Sequence, residues 1–102
     1  MVVGRFAPSP TGPLHIGSLV AAVGSWLMAK RSGGRWLLRI DDLDRDRCRQ
    51  AFEDDILRTL ERFGLLWDGA ITRQGDNTAA YAEAFERLRQ LGAVYPCGCS
   101  RA

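Results

Sequence analysis

The only histidine of the chain lies in a segment rich in proline and glycine, residues 7–18, which reads APSPTGPLHIGS. Gly12 and Gly17 have no side chain and therefore let a ligand approach the backbone closely. His15 can donate a ring N–H to a phosphoryl oxygen while negative charge builds there. If a helix begins at His15, its first backbone N–H groups and its dipole also favour phosphate oxygens. The segment therefore predicts a phosphate-binding loop that stabilises a transition state without a covalent intermediate.

Two cysteines close to the carboxyl end form a second candidate group. Cys97 and Cys99 are one residue apart, whereas Cys48 is distant from both in the sequence. An odd number of cysteines does not suit a disulfide framework. The pattern indicates reduced thiols or part of a metal site.

The predicted loop stands between a strand and a helix. Residues 2–7 form a short apolar run typical of a buried strand, and the four prolines and glycines that follow exclude regular structure up to His15. Apolar residues then recur at helical spacing, at Ile16, Leu19, Val20, Val23 and Leu27. Gly33-Gly34 after Lys30 and Arg31 predicts the end of this helix.

The remaining elements alternate in the same way. Residues 35–41 predict a second strand, and a second helix is expected from about Arg49 to Phe63, ending at Gly64. Asn77 or Thr78 can begin a third helix that ends at Gly92. The predicted buried stripes of these two helices are Phe52, Ile56, Leu60 and Phe63, and Tyr81, Phe85, Leu88 and Leu91. Residues 94–97 are expected to be extended.

This alternation predicts an α/β fold with a parallel sheet and right-handed crossovers. Ligands bind beyond the carboxyl ends of the strands in such sheets, which is where the His15 loop would lie. Hydrophobic residues make up 46% of the chain and charged residues 25%, which is typical of a globular domain. The net charge of +2 is too small to indicate nucleic-acid binding by itself.

The chain shows no sign of a membrane or secretion segment. Its longest apolar stretch, residues 19–28, is far shorter than the ~20 residues that cross a bilayer. The first residues, MVVGRF, lack a basic leader before an apolar run. We therefore expect a cytoplasmic protein with no membrane partner.

The loop carries a resemblance to a known family. Residues 7–18, preceded by Arg5 and Phe6, resemble the first signature of class I aminoacyl-tRNA synthetases in the form used by the glutamyl and glutaminyl group. Ser18 stands where this motif often has a second histidine, a replacement also found in glutamyl-type members. The segment RIDDLD, residues 39–44, resembles the RIED-type segment of the family.

Further segments are similar to the glutamyl-queuosine branch of that family: residues 15–27, 33–44, GLLWDG at 64–69 and YPCGCSR at 95–101. The resemblance covers nearly the whole chain, which would represent only the amino-terminal part of such an enzyme. It implies a Rossmann-like fold of which residues 1–96 form the first βαβα half. Residues 97–102 would begin a zinc-binding or insertion region.

The resemblance implies that ATP, with Mg²⁺, activates glutamate to an enzyme-bound adenylate, which is transferred to queuosine in the anticodon of tRNA(Asp). By motif position, the implied catalytic residues are His15, Gly17 and Ser18. The implied ATP contacts are Pro8, Ser9, Thr11, Gly12, His15, Gly17 and Ser18. The implied glutamate contacts are Arg5, Ala7, Ser9 and Asp41. Arg5 suits this role because a guanidinium can pair with a carboxylate through two hydrogen bonds.

Asp41 departs from the family pattern, because most relatives hold the substrate α-ammonium with a glutamate at this position. The shorter side chain resembles the glutaminyl relatives and leaves open which amino acid is used. The alternatives are a fragment of a conventional glutamyl-tRNA synthetase, an HxGH-type nucleotidyltransferase, or a non-catalytic nucleotide-binding remnant. Simpler structural roles also exist: a helix cap for His15, a strand-edge charge for Arg5, and caps of the second helix for Asp44 or Asp46.

The resemblance also bears on metal binding and activity. Cys97 and Cys99 match the start of the zinc site in many family members, but a structural zinc site needs four ligands. The remaining family ligands would lie beyond Ala102, so zinc is expected only with ligands from outside this sequence. The lysine-rich second signature of class I is also absent from the sequence. We expect the 102-residue chain alone to show little ATP–pyrophosphate exchange.

Overall fold

A computed structural model describes residues 1–100 of the chain. Its strands are β1 (Val3–Phe6), β2 (Arg35–Ile40) and β3 (Thr72–Arg73), and its helices are α1 (Ile16–Arg31), α2 (Gln50–Arg62) and α3 (Thr78–Gln90). A single 3₁₀ turn, Gln74–Asn77, precedes α3. Within residues 1–100, none of the helices combines the length and the apolar character needed to cross a bilayer.

The strands form one parallel sheet in the order β1-β2-β3. Arg5 lies beside Leu37 in the first pair, and Ile40 lies beside Arg73 in the second. The predicted α/β class and the order of strands and helices are confirmed. The order is that of the first half of a doubly wound sheet. Strand β3 was not predicted, because two residues are too few to show an alternation.

Glycines in the left-handed region end all three helices. Gly33, Gly64 and Gly92 have φ values of 68°, 71° and 73°, which residues with a Cβ rarely adopt. The three helix ends predicted from these glycines are therefore confirmed.

The core lies on one side of the sheet. Both crossovers join neighbouring strands in the same direction, so right-handed connections place α1 and α2 on the same face. The cluster contains Trp36 and Leu38 of β2, Ala22 and Ala29 of α1, and Ile56 and Leu60 of α2. Helix α1 approaches β1 closely at Gly4, where an added Cβ would lie 3.2 Å from Trp36 Cδ1 and 3.3 Å from Ala29 Cβ.

The other face of the sheet follows from strand alternation. It carries Val3 and Arg5 of β1 and Arg35, Leu37 and Arg39 of β2, none of which is buried. We call this side the open face.

The packed side of α1 differs from the side that carries the apolar residues at helical spacing. Ile16, Val20, Val23 and Leu27 are at least 36% exposed, whereas Ala22 and Ala29 are fully buried. Consecutive residues are about 100° apart around a helix, so the stripe of spaced apolar residues and the buried stripe point about 130° apart. Helix α1 is apolar around most of its circumference, and spacing alone could not identify the packed side.

Two predictions about burial are wrong for the described residues. All four apolar residues predicted to be buried on α3, Tyr81, Phe85, Leu88 and Leu91, are at least 43% exposed, and α3 contains no buried residue. Phe63 is 61% exposed, because it is the C-cap of α2 and lies beyond the packed turns. Residues 94–97 lie outside any strand.

Candidate functional site

The loop between β1 and α1 is fixed by its backbone. The Asp41 N–H donates to the Pro8 carbonyl oxygen at 2.9 Å, and the Arg49 N–H donates to the Pro10 carbonyl oxygen at 3.1 Å. Pro8 and Pro10 are buried, whereas Ser9 between them is exposed. The loop is thus attached to the end of β2 and to the start of α2, and it presents its hydroxyl side chains outward.

His15 is the N-cap of α1. Its Nδ1 accepts the backbone N–H of Ser18 at 3.3 Å, and its Nε2 lies 3.1 Å from Ser18 Oγ. A neutral imidazole whose Nδ1 accepts a hydrogen bond carries its proton on Nε2. With the proton on Nε2, the 3.1 Å contact is a hydrogen bond donated to Ser18 Oγ, and the exposed ring can donate to a ligand when the ligand replaces that hydroxyl as the acceptor. The capping role and the phosphate-binding role predicted for His15 use different nitrogens and are compatible.

Gly17 leaves room for the imidazole. An added Cβ would lie 2.9 Å from His15 Cε1 and 3.1 Å from His15 Nδ1, which is too close for an undisturbed ring. Gly12 has nothing within 4 Å of an added Cβ, so its backbone faces open space. Gly17 thus sets the position of the histidine, and Gly12 leaves the loop surface accessible.

A cavity of about 360 Å³ lies against this loop. It brings together the predicted residues Ala7, Pro8, Ser9, Thr11, Gly12, His15 and Ser18. Leu14 and Ala21 also line it and were not predicted, because apolar lining residues have no distinctive pattern in a sequence. Gly17 does not line the cavity.

Two predicted residues, Arg5 and Asp41, belong to a different part of the site. Arg5 lies on the open face of β1 and is exposed. Asp41 directly follows β2 and is half-buried. Neither lines the cavity, but the bond from the Asp41 N–H to Pro8 brings Asp41 to the base of the loop.

Asp41 is paired with Arg39, a residue that sequence reasoning did not identify. Arg39 Nε donates to Asp41 Oδ1 at 2.6 Å, and Arg39 Nη2 donates to Asp41 Oδ2 at 3.3 Å. The hydrogen bond to Asp41 is the main cause that raises the pKa of the Arg39 guanidinium. Alternation along β2 places both residues on one side, but it does not reveal that they pair.

The other carboxylates of this segment have structural contacts. Asp42 Oδ1 accepts the backbone N–H of Gly75 at 2.7 Å and so connects the end of β2 to the 3₁₀ turn. Asp44 accepts a hydrogen bond from Arg47 Nε at 2.6 Å, which lowers the pKa of the Asp44 carboxyl. The N-cap of α2 is Arg49, so the expectation that Asp44 or Asp46 caps this helix is wrong.

The two carboxyl-terminal cysteines fit only part of a metal site. Both are exposed, and the Cys99 N–H donates to Cys97 Sγ at 3.4 Å. This bond lowers the pKa of the Cys97 thiol and favours the thiolate that metals bind. No group of three or more histidine, cysteine, aspartate or glutamate side chains suited to a metal occurs among the described residues. Two thiols do not complete a tetrahedral zinc site.

The sequence of the chain matches a known protein family and is similar to known enzymes. The family described as tRNA synthetases class I (E and Q), catalytic domain, matches residues 1–102. The chain is 61% identical over 101 residues to the glutamyl-Q tRNA(Asp) synthetase of Geobacter sulfurreducens, covering 99% of this chain and 32% of that protein. It is 59% identical to the enzyme of the same name from Thiobacillus denitrificans, covering 98% and 33%. The chain spans about a third of the length of the curated relatives it matches.

The fold is also similar to solved structures. A glutamate tRNA ligase from Elizabethkingia meningosepticum, in complex with its amino acid, matches with a TM-score of 0.81 and 37% identity. The match covers 87% of this chain and 19% of that chain. The Rossmann-like arrangement expected from the sequence is confirmed by this similarity.

Proposed function

Because the chain belongs to the catalytic-domain family of class I tRNA synthetases for glutamate and glutamine, we propose that its His15 loop binds ATP for the activation of glutamate. The observation that carries this proposal is the geometry of His15. Its Nδ1 is occupied by the Ser18 N–H, so Nε2 holds the proton, and His15 lines a cavity beside the amino end of α1. Backbone amides, the helix dipole and an imidazole N–H then converge on one anion site.

In the proposed reaction, the α-carboxylate of glutamate attacks the α-phosphorus of ATP, and pyrophosphate leaves. Negative charge increases on the equatorial phosphoryl oxygens at the pentavalent phosphorus. His15 Nε2–H stabilises that charge when a phosphoryl oxygen replaces Ser18 Oγ as its acceptor, and the Ser18 N–H bonded to Nδ1 orients the ring. Mg²⁺ bound with ATP would neutralise the pyrophosphate. Catalysis then consists of positioning and electrostatics, and the chain supplies no nucleophile.

The amino acid is assigned to the open face, beside the loop. Arg5 is assigned to a carboxylate of glutamate, and Asp41 to its α-ammonium, with Ser9 and Ala7 between them. Ser9 and Ala7 line the cavity at the loop, whereas Arg5 belongs to β1 and Asp41 directly follows β2. This placement supports an amino acid whose α-carboxylate reaches the phosphate site.

We assign the second step to transfer of glutamate to queuosine of tRNA(Asp) in the cytoplasm. Support comes from the glutamyl-Q relatives, which are 57–61% identical to this chain, whereas the glutamate tRNA ligase structures are 37% identical. In such an enzyme, Cys97 and Cys99 would contribute two thiolate ligands to a zinc site whose other ligands come from outside this sequence.

Ligand titration followed by NMR tests the proposal. A non-hydrolysable ATP analogue with Mg²⁺ should shift the backbone amide signals of residues 9–18. L-Glutamate should shift those of Arg5 and Asp41, and it should do so more strongly than L-glutamine or L-aspartate. Saturable shifts confined to the second cavity, which Asp42, Glu53 and Gly75 line, would contradict the assignment.

A further inference from the structure

We propose that Arg39 is a positioning residue for Asp41, holding its carboxylate so that the free lone pairs of both oxygens face the amino group of an α-amino acid. This inference rests on the proposed function, because it concerns the amino-acid pocket. In this role, Arg39 favours ligands that have an α-ammonium, although it does not contact the ligand itself.

The contact is two-point and local. Arg39 and Asp41 are two residues apart, so strand alternation directs both side chains to the same face. Arg39 Nε and Nη2 each donate to a different oxygen of Asp41, at 2.6 and 3.3 Å. A planar guanidinium bound in this way fixes both the distance and the orientation of the carboxylate.

The pair leaves Asp41 able to accept more hydrogen bonds. An ionised carboxylate offers about four lone-pair sites, and Arg39 uses two of them. The Asp41 side chain keeps 24% of its surface exposed, so the remaining sites are accessible. An ammonium has three donors and is compact, and it can occupy the accessible side without displacing the guanidinium.

The backbone of Asp41 is fixed as well. Its N–H donates to the Pro8 carbonyl oxygen at 2.9 Å, at the base of the loop that is assigned to ATP. An aspartate side chain has one rotatable bond fewer than a glutamate side chain. The two hydrogen bonds from Arg39 restrict the rotatable bonds that Asp41 has. Such preorganisation lowers the cost of ordering the pocket when the amino acid binds.

The position of the pair argues against a purely structural role. The Lys30–Asp68 pair joins α1 to the segment after α2, and the Arg73–Glu53 pair joins β3 to α2. Arg39 and Asp41 belong to a single strand end, so their ion pair connects no separate elements. The other local pairs, Arg47–Asp44 and Arg89–Glu86, have side chains at least 41% exposed, whereas those of Arg39 and Asp41 are 27% and 24% exposed. A local pair that is shielded from solvent in this way is better explained by the orientation it gives to Asp41.

The test compares two ligands that differ in the amino group. L-Glutamate and glutarate, which has both carboxylates but lacks the α-amine, are titrated into wild type, Arg39→Gln and Arg39→Lys. We expect Arg39→Gln to weaken glutamate binding about tenfold, a loss typical of a charged hydrogen bond, and to leave glutarate binding unchanged. Arg39→Lys should be intermediate, since an ammonium cannot make the two-point contact.

Arg35→Gln is the matched control. Arg35 lies on the same face of β2, four residues before Arg39, and removing its charge should leave both affinities unchanged. Equal losses of glutamate and glutarate binding in Arg39→Gln would overturn the inference, because Arg39 would then act on a carboxylate or on the fold. Unchanged glutamate binding in Arg39→Gln would overturn it too.

A second measurement does not depend on the amino acid. The Arg39 Nε–H signal should exchange slowly with water in the wild type and several-fold faster in Asp41→Asn. An unchanged rate would show that the pair is not formed, whichever ligand is used. If the wild type binds no glutamate, the proposed function fails and this inference with it, whereas a failure confined to the Arg39 variants leaves the proposed function intact.

Discussion

At the scale of single residues, His15 combines two tasks that sequence analysis treats as alternatives. Nδ1 caps α1 through the Ser18 N–H, and this same bond leaves the proton on Nε2. The cap therefore determines the tautomer that the proposed chemistry needs. Two substitutions can separate these tasks.

We predict that His15→Asn keeps the stability of the chain and loses nucleotide affinity, whereas His15→Ala loses both. Asparagine is among the best N-cap residues, and its loss to alanine costs about 1 kcal/mol. Either substitution removes the ring N–H, so binding of an ATP analogue should weaken about tenfold. Urea unfolding and calorimetric titration measure the two effects. Wild-type affinity in His15→Asn would remove the imidazole from the site.

Residue type makes some candidate site residues easier to recognise in the sequence than others. The sequence identified the loop residues that line the cavity, because prolines, glycines and a single histidine form a distinctive pattern. It did not identify Arg39, because an arginine in a strand gives no indication of its partner. The roles assigned to the loop residues, to Arg5 and to Asp41 remain predictions.

At the scale of elements, the turn from α1 into β2 depends on Gly34. An added Cβ would lie 1.9 Å from the Val2 carbonyl oxygen and 3.0 Å from that of Ala29, and backbone atoms cannot rotate away. We predict that Gly34→Ala destabilises the chain by about 3 kcal/mol in urea unfolding. Gly24→Ala is the control, because its Cβ would meet nothing within 4 Å and alanine favours the helix by about 1 kcal/mol. Equal stability of the two variants would refute the close contact.

Asp68 joins α1 to β2 through two hydrogen bonds. Its Oδ2 accepts from Lys30 Nζ at 2.6 Å and from the Trp36 N–H at 2.8 Å, and mainly the bond from Lys30 lowers the pKa of the Asp68 carboxyl. A carboxyl whose pKa is lowered by folding stabilises the fold above its ordinary pKa, and this stabilisation is lost as the pH falls through the lowered value.

We therefore predict that Asp68→Asn lowers the Tm at pH 7 and that the difference from wild type shrinks as the pH falls below about 4, the ordinary carboxyl pKa. Thermal unfolding followed by circular dichroism from pH 7 to pH 2 measures this trend. Asp46→Asn, which changes an exposed carboxylate, should show a smaller effect throughout. A Tm difference for Asp68→Asn that is constant with pH would exclude the carboxylate as its source.

Element boundaries were more predictable than element faces. Glycines with positive φ ended all three helices as expected, because that conformation excludes most other residues. The packed face of α1 was not predictable, since its small residues Ala22 and Ala29 make the close contact while larger apolar residues remain exposed. The spacing of apolar residues shows which of them share a face of the helix. It does not show which face an adjacent element packs against.

At the scale of the whole molecule, stability is unevenly distributed. Ile56 and Leu60 of α2 are fully buried, whereas α3 has no buried residue and its Phe85 is 55% exposed. We predict that Ile56→Ala costs about 3 kcal/mol and that Phe85→Ser changes the stability by less than about 0.5 kcal/mol. Urea unfolding and amide hydrogen exchange of α3 measure these effects. A cost for Phe85→Ser close to that of Ile56→Ala would mean that α3 packs against a surface in solution.

The one-sided placement of α1 and α2 determines how two ligands would reach this molecule. The cavity beside His15 lies next to the amino end of α1, whereas Arg5 and Arg39 belong to the opposite side of the sheet. In the proposed reaction, the nucleotide thus lies beside α1 and the amino acid reaches across the open face, so the two substrates share the loop at Ser9 and each would shield part of the other from water.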